Sequence, residues 1–271
     1  MTSYTPRKRG GSRHGGHVVV TGDVSYDSVS SFLHEFYGPR QGLVDMDVVV
    51  LADEQPSRHL AALLRQAQYQ RRVSYLFGSL LHEKDAARAR VDSATAVFVL
   101  ATAQPTRHAS TADASTILHA IAVDRVTLHA RQRSDAMRCF IQLLAPRPPR
   151  CLRQITGVEV ALNTPRVRAA ILARNVVCPG ATALVLNLLS SAKESELAAA
   201  ATAPLWITEY SHGLQHQFFP VILPRAFDGV LWDDAVEWLY TKCVHFVSTY
   251  CSVLMEVWTM DLLYVCTTAL K

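Results

Sequence analysis

The sequence contains none of the short motifs that mark the common enzyme and redox classes. Its six cysteines include no C-x-x-C pair, and neither a G-x-S-x-G elbow nor an H-E-x-x-H helix occurs in it. Most of the cysteines stand in apolar runs, which is typical of buried free thiols in a reducing compartment. We therefore predict a protein that is not an enzyme and that has no cofactor and no metal site.

The body of the chain also lacks an excess of charge of either sign. Four basic residues, Arg7, Lys8, Arg9 and Arg13, lie in the first sixteen positions, and the remaining 23 basic residues are matched by 23 acidic ones. A nucleic-acid-binding protein needs a basic face, so this composition argues against a nucleic acid partner. Residues 1–15 are expected to form a basic flexible linker, with contact to anionic lipid as the alternative.

No segment is predicted to cross a membrane or to direct secretion. The N-terminus is polar and basic and lacks the apolar core of a signal peptide. In the C-terminal stretch, the longest uncharged run covers residues 243 to 255 and ends at Glu256. That run is too short to span a bilayer, so we expect a buried helix and strand there.

Glycine is scarce at the turn where a dinucleotide-binding fold would need it. The stretch HVVVTGDVSYDSVSSFL (17–33) begins like a dinucleotide-binding βα unit, with a β-branched run, a glycine and an amphipathic segment. The full fingerprint has three glycines, which let backbone N–H groups approach the phosphates, and this turn has only Gly22. Asp23 would repel a pyrophosphate, and Asp53 and Glu54 lie farther from Gly22 than the usual ribose-binding acid. Nucleotide binding is therefore disfavoured.

Strand-like and helix-like segments nevertheless alternate through the first half of the chain. Buried strands are predicted at residues 17–21, 47–51, 73–78, 95–101 and 137–144, and helices at residues 24–37, 57–68, 83–91 and 110–123. Ser57 is the expected N-cap of the second helix. This alternation predicts an α/β fold, with a Rossmann-like doubly wound parallel sheet over residues 16–150.

The pattern changes after Pro149. Residues 166–192 are predicted to form two apolar helices broken at Pro179-Gly180, within a segment of interface helices and linker that covers residues 151–204. Residues 205–271 are expected to form a smaller α+β lobe that is truncated. Helices this apolar at the edge of a sheet domain need a partner.

Five segments, taken in order, resemble one family. GSLLHEKDAARARVDSATAVFVLA (78–101) resembles the third strand, helix and fourth strand of RCK domains, the regulators of potassium conductance. HVVVTGDVSYDSVSSFLHEFY (17–37) and ADASTILHAIAV (112–123) resemble the first RCK domain of the big-conductance calcium-activated (BK/Slo) potassium channel family. The match continues through ARNVVCPGATALVLNLL (173–189) and WITEYSHGLQHQFFPVILPRAF (206–227).

The resemblance implies a non-catalytic regulatory role. In this family four subunits each contribute two RCK domains to an intracellular gating ring, which couples ion or ligand binding to pore opening. The expected partners are the other subunits of a tetrameric, homo-oligomeric potassium channel, its pore domain and a second RCK domain. The chain is then expected to be soluble itself, to lie on the cytoplasmic side of a membrane, and to meet that membrane only through the parent channel. Residues 166–192 would belong to the contact between subunits.

The resemblance also implies a calcium site, from which this sequence departs. Asp113 matches one calcium-binding aspartate of the family, but the other two acidic positions fall on Gln217 and at or near His108. Calcium takes six to eight oxygen ligands that include carboxylates, so we predict weak or absent calcium binding in this domain. The alternative role for Asp113 is that of an acid in the first turn of a helix, favoured by the helix dipole.

Two other interpretations follow from the residues alone. The crevice beside Gly22 and Asp53 would suit a soluble Rossmann-fold ligand-binding module or an oxidoreductase relative that binds a nucleotide. His212 and His216 would share one face of a helix, as a zinc site requires. Gly213 disfavours that helix and no third ligand lies at a convincing spacing, so ordinary surface histidines are expected.

Overall fold

A computed structural model describes the chain in separate stretches. They cover residues 3–5, 16–38, 44–101, 108–130, 138–147, 152, 155, 158–189, 204–208, 216–221, 229–231, 234–235, 237–238, 241, 246–247 and 263–268. The chain divides into two compact units. The first consists of Met1–Tyr37 and Leu43–Ala173, and the second of Gly38–Gly42 and Arg174–Lys271.

The first unit is built on a six-stranded sheet in which every pairing is parallel. Its strands are β1 (His17–Gly22), β2 (Asp47–Ala52), β3 (Val73–Phe77), β4 (Ala96–Leu100), β5 (Arg138–Leu143) and β6 (Val158–Asn163). They lie in the order β3-β2-β1-β4-β5-β6, so the direction of winding reverses between β1 and β4. The predicted doubly wound parallel sheet is confirmed.

Both faces of the central strands β1 and β2 are buried, which explains why these strands are continuous apolar runs. Successive side chains of a strand point to opposite faces. Accordingly, Val18 and Val20 of β1 belong to one core cluster, and Val19 between them belongs to the other. All three valines are at most 2 % exposed, and each contributes roughly 1.5–3 kcal/mol when fully buried.

Two helices cover each face of the sheet. Helices α1 (Tyr26–Phe36) and α2 (Arg58–Leu64) supply buried residues to the cluster that contains Val18. Helices α3 (Glu83–Arg88) and α4 (Ala109–Ala130) pack into the cluster that contains Val19. The predicted cap of α2 is confirmed, because the Leu60 N–H donates to Ser57 Oγ over 3.2 Å.

The sheet extends beyond the predicted end of the Rossmann-like part at residue 150. Strand β6 pairs with β5, although the sequence predicted interface helices and linker from residue 151 onwards. The first unit also includes Tyr4, which the sequence placed in the flexible linker. Its side chain is only 9 % exposed and belongs to the core cluster around Val19. Residues 6–15, the rest of the predicted linker, lie outside the described stretches.

Two helices follow the sheet. Helix α5 covers Thr164–Val177 and helix α6 covers Ala181–Leu189. The break between them falls where the sequence predicts it, with Gly180 at a φ of +88°. The break is thus confirmed.

The second unit also contains a small antiparallel sheet. Its strands are β7 (His216–Val221), β8 (Phe246–Val247) and β9 (Leu263–Thr268), in the order β7-β9-β8. The helix predicted in the C-terminal stretch falls largely outside the described residues. Within the part of the chain that the structure describes, no helix has both the length and the hydropathy needed to cross a bilayer.

Candidate functional site

A cleft of about 280 Å³ opens at the carboxyl edge of the parallel sheet. It lies where the strand order reverses between β1 and β4, the usual place for ligands in open α/β sheets. The ends of the first four strands and one side of α4 line it. The polar lining residues are Thr21, Asp23, Asp53, Glu54, Ser79, Ser115, Thr116 and His119. The structure thus brings together the sequence-predicted crevice residues Gly22, Asp23, Asp53 and Glu54.

The single glycine of the first turn serves strand packing. Gly22 has a φ of +96°, and a Cβ atom at this position would lie 2.3 Å from the Leu100 carbonyl oxygen. The next backbone N–H, that of Asp23, donates to the same carbonyl over 2.9 Å. In a dinucleotide-binding turn, glycines expose N–H groups to the phosphates. Here Gly22 brings β1 against β4, and the Asp23 N–H is already engaged.

The charges around the cleft are also wrong for a phosphate ligand. Three carboxylates, Asp23, Asp53 and Glu54, line the cleft, and its described lining residues include no Lys or Arg. Tyr75 is hydrogen-bonded beside this edge, with its O–H 2.7 Å from the Glu54 carbonyl oxygen. Burial raises the pKa of Tyr75, and the negative charges of Glu54 and Asp53 raise it further. An anionic ligand would meet the same repulsion.

The first turn of α1 is closed by its own serines. Ser28 N–H donates to Ser25 Oγ over 3.1 Å, and Ser25 N–H donates to Ser28 Oγ over 2.9 Å. This reciprocal pair is a capping box, which satisfies two backbone donors that a phosphate could otherwise accept from. The sequence of α1 therefore stabilises the helix start instead of leaving it open to a ligand.

Asp113 is buried and is used to hold the end of a strand. Its Oδ1 accepts the Leu144 N–H over 2.7 Å, and its Oδ2 accepts the Ala145 N–H over 2.9 Å. The residue is only 2 % exposed. The interpretation of Asp113 as a first-turn acid is wrong, because α4 begins at Ala109 and its first turn holds no acidic residue. The carboxylate fastens α4 to the backbone that follows β5.

Two amide side chains complete this network at the carboxyl edge. Asn163 Nδ2 donates to the Ala145 carbonyl over 2.7 Å, and its Oδ1 accepts the Arg166 N–H in the first turn of α5. Gln142 accepts the Ala101 N–H and donates to Thr164 Oγ1. The ends of β4, β5 and β6 are therefore tied together by side chains. The Asn-Thr-Pro start of α5 is a sequence signal that could have located Asn163 as a helix cap.

The other sequence-predicted residues stand on other elements of the chain. His108 is exposed and stands just before α4, where its carbonyl accepts the N–H groups of Thr111 and Ala112. Gln217 and His216 are on β7 of the second unit. His216 is therefore in a strand and not on a helix, and His212 lies outside the described residues.

Comparison with known sequences identifies the family. The family model described as "Calcium-activated potassium channel slowpoke-like RCK domain" matches residues 13–156, just over half of the chain. The chain belongs to the Slo-like RCK family. A second model, "Calcium-activated BK potassium channel alpha subunit", matches residues 162–248 of this RCK chain. The resemblance noted in the sequence is confirmed.

Two curated channels show the same relationship. This Slo-like RCK chain is 26% identical over 234 residues to "Calcium-activated potassium channel slo-1" of Caenorhabditis elegans, covering 83% of the chain and 19% of slo-1. It is 25% identical over 235 residues to "Calcium-activated potassium channel slowpoke" of Drosophila melanogaster, covering 83% of the chain and 18% of slowpoke. The chain thus spans about a fifth of the length of these relatives.

A solved structure shares the fold. The human SLO3 gating ring superposes with a TM-score of 0.68 at 16% sequence identity, over 93% of this chain and 44% of the other. At this identity the likeness supports the fold alone. It extends over most of the Slo-like RCK chain, so both of its units have counterparts in that ring.

The calcium ligand set implied by the family does not fit the described residues. Both carboxylate oxygens of Asp113 already accept backbone N–H groups. Within the described stretches, no group of three or more His, Cys, Asp or Glu side chains is arranged to hold a metal ion. Calcium needs several carboxylate oxygens at once. Weak or absent calcium binding in this domain remains a prediction.

Proposed function

We propose that this chain is a gating-ring segment of a calcium-activated, BK/Slo-like potassium channel. In this role it couples ion or ligand sensing to pore opening from the cytoplasmic side of the membrane, without catalysis. The match of the Slo-like RCK model to residues 13–156 carries the proposal. The curated relatives are named as calcium-activated potassium channels, and the structural relative is named as a gating ring.

The carboxyl-edge cleft supports a mechanical role for the sheet. Its glycine packs against Leu100, the first turn of α1 caps itself, and its lining carboxylates disfavour phosphate. A Rossmann-like sheet without a nucleotide site still provides a rigid body, and such a body can transmit a shift between two arrangements of a ring. The oxidoreductase alternative has no comparable support.

The apolar helices support assembly with other subunits. Val176 and Val177 at the end of α5 are 86 % and 82 % exposed, and Leu184 of α6 is 61 % exposed. Large apolar side chains exposed in a group mark contact surfaces. In the proposed assembly this group faces another RCK domain, within a ring formed by four subunits.

A chimeric channel tests the proposed function. The segment of Caenorhabditis elegans slo-1 that aligns with this chain is replaced by the chain itself, and potassium currents are recorded in excised membrane patches. We expect voltage-dependent potassium current with a smaller calcium-induced shift of the activation curve than in slo-1, because two acidic positions of the family's calcium site fall on Gln217 and at or near His108.

A core variant of the same chimera is the matched control. Val97 is fully buried in β4, and Val97→Asp is expected to abolish the current by unfolding the sheet. A chimera that reaches the cell surface but carries no current at any voltage or calcium concentration would contradict the proposed function.

A further inference from the structure

Tyr4 is fixed to the amino edge of the sheet by three kinds of contact. Its backbone N–H donates to the Arg88 carbonyl over 3.0 Å, and its O–H donates to Asp47 Oδ2 over 3.0 Å. Its ring centroid lies 4.7 Å from that of His17, with the planes tilted by 41°. The contact residues belong to α3, β2 and β1. Tyr4, near the N-terminus, is therefore packed against three elements of the first unit.

His17 is the titratable group beneath Tyr4. It begins β1, is 4 % exposed, and its Nε2 lies 3.1 Å from the Ala89 carbonyl oxygen. Since a carbonyl oxygen only accepts, Nε2 is the donor, and the ring can be neutral with its second nitrogen deprotonated. The charged groups that act on it are Asp47 on β2 and Arg90 after α3.

We propose that Tyr4 docks the N-terminal segment onto the sheet only while His17 is neutral, so that protonation of His17 releases residues 3–5. The contact belongs entirely to the first unit of this chain. It is therefore expected with or without assembly into a channel, and its failure leaves the proposed function untouched. Within a gating ring, the contact determines where the N-terminal segment meets the sheet.

The physical basis is that the ring of Tyr4 helps to keep water away from His17. Burial lowers the pKa of His17 below the ordinary value of 6.5, and the positive charge of Arg90 acts in the same direction. The backbone hydrogen bonds and Asp47 oppose this shift but do not cancel it. Protonation therefore favours the state in which His17 is hydrated. The stability of the docked state relative to the released state is greatest above about pH 6.5. It decreases as the pH falls below that value.

Tyrosine signals in a ¹³C-labelled full-length chain test this directly. The chain has nine tyrosines, and Tyr4→Phe identifies the Tyr4 signal by removing it. At pH 7.5 we expect the Tyr4 signal to be displaced from the position of a free tyrosine. Between pH 7.5 and 5.0 it should move to the free position, with the same midpoint as the His17 imidazole signal. A Tyr4 signal already at the free position at pH 7.5, or unequal midpoints, would overturn the proposal.

Two variants separate release from a general effect of acid. In His17→Gln the amide can still donate to the Ala89 carbonyl, so the Tyr4 signal should no longer change over this pH range. In Tyr4→Ala the His17 midpoint should rise towards 6.5, because coupling between two sites is reciprocal. Tyr26→Ala, at a tyrosine that is 42 % exposed, is the control and should leave that midpoint unchanged. An unchanged midpoint in Tyr4→Ala would also overturn the proposal.

Discussion

Gly22 occupies the position of the first glycine of a dinucleotide-binding turn, but it has a different role in this chain. It ends β1 at the same turn where a dinucleotide-binding protein has its first glycine. In this chain the missing side chain makes room for the Leu100 carbonyl of β4 and allows a φ of +96°. The requirement for glycine is therefore steric and conformational, and it exists without any ligand.

Gly22→Ala is expected to destabilise the first unit strongly. The new Cβ would lie 2.3 Å from the Leu100 carbonyl oxygen, so the strands must move apart, in addition to the strain of a positive φ. We expect the free energy of unfolding to fall by roughly 2–4 kcal/mol, measured by chemical denaturation.

Gly180→Ala is the matched control for this experiment. Gly180 has a similar φ of +88°, but no atom lies within 4 Å of its would-be Cβ. It should therefore show only the conformational strain, roughly 1–2 kcal/mol. Equal losses in the two variants would mean that the contact with Leu100 is not what requires glycine at position 22.

At the scale of elements, the carboxyl ends of the strands are held by polar side chains as well as by the core. Asp113 of α4 binds two N–H groups after β5, and Asn163 at the end of β6 binds the carbonyl of Ala145. Such buried groups are stabilising only as a complete set, because each backbone group left without a partner costs free energy. The Asp113 carboxylate therefore has a structural use in this chain.

Asp113→Asn is expected to lower the free energy of unfolding by roughly 2 kcal/mol or more. One of the two backbone N–H groups would face an amide N–H₂ group in place of a carboxylate oxygen. Calcium is expected to leave the melting temperature of the unsubstituted chain unchanged, since a ligand raises it only by binding the folded state. Thermal unfolding with and without calcium measures both effects.

Asp92→Asn provides the comparison, because Asp92 is exposed in a short 3-10 helix, Val91–Ser93, of the same unit. That variant should lose only a few tenths of a kcal/mol. The structural role of Asp113 would be contradicted by a melting temperature that rises with calcium in the unsubstituted chain and no longer does so in Asp113→Asn.

At the scale of the whole molecule, the helices that follow the sheet carry more exposed large apolar side chains than any other described element. In the first unit, burial on both faces of the sheet accounts for most of the valine and leucine side chains of the strands. In α6 and the end of α5, by contrast, several large apolar side chains remain exposed, among them Val176, Val177, Leu184 and Leu186. Exposed apolar side chains grouped in this way are typical of a contact surface.

Charges on these helices are therefore expected to weaken self-association. The double variant Val176→Asp, Leu184→Asp should shift the chain towards monomer in sedimentation velocity, because an interface core disfavours buried unpaired charge. Leu81→Asp is the control, since Leu81 is 51 % exposed on the first unit. If the double variant and the control sediment like the unsubstituted chain, these helices do not form the contact between subunits.

The sequence by itself determined the first five strands of the parallel sheet, because the information is local. A strand buried on both faces must be apolar at every position, and the runs around Val19, Val49 and Val97 follow that rule. The break at Gly180 and the Ser57 cap also depend only on neighbouring residues. The family could also be recognised from the sequence, because the segments that match it are short local stretches in a fixed order.

Only the tertiary structure decided the contacts between residues distant in sequence. The partners of Asp113 lie 31 and 32 residues away, and Tyr4 reaches Asp47 over 43 residues. Strand β6 lacks a buried run, since the consecutive residues Val160, Ala161 and Leu162 are all exposed at the edge of the sheet. The roles of Asp113, Tyr4 and β6 depend on contacts with residues distant in sequence. A local sequence pattern does not contain that information.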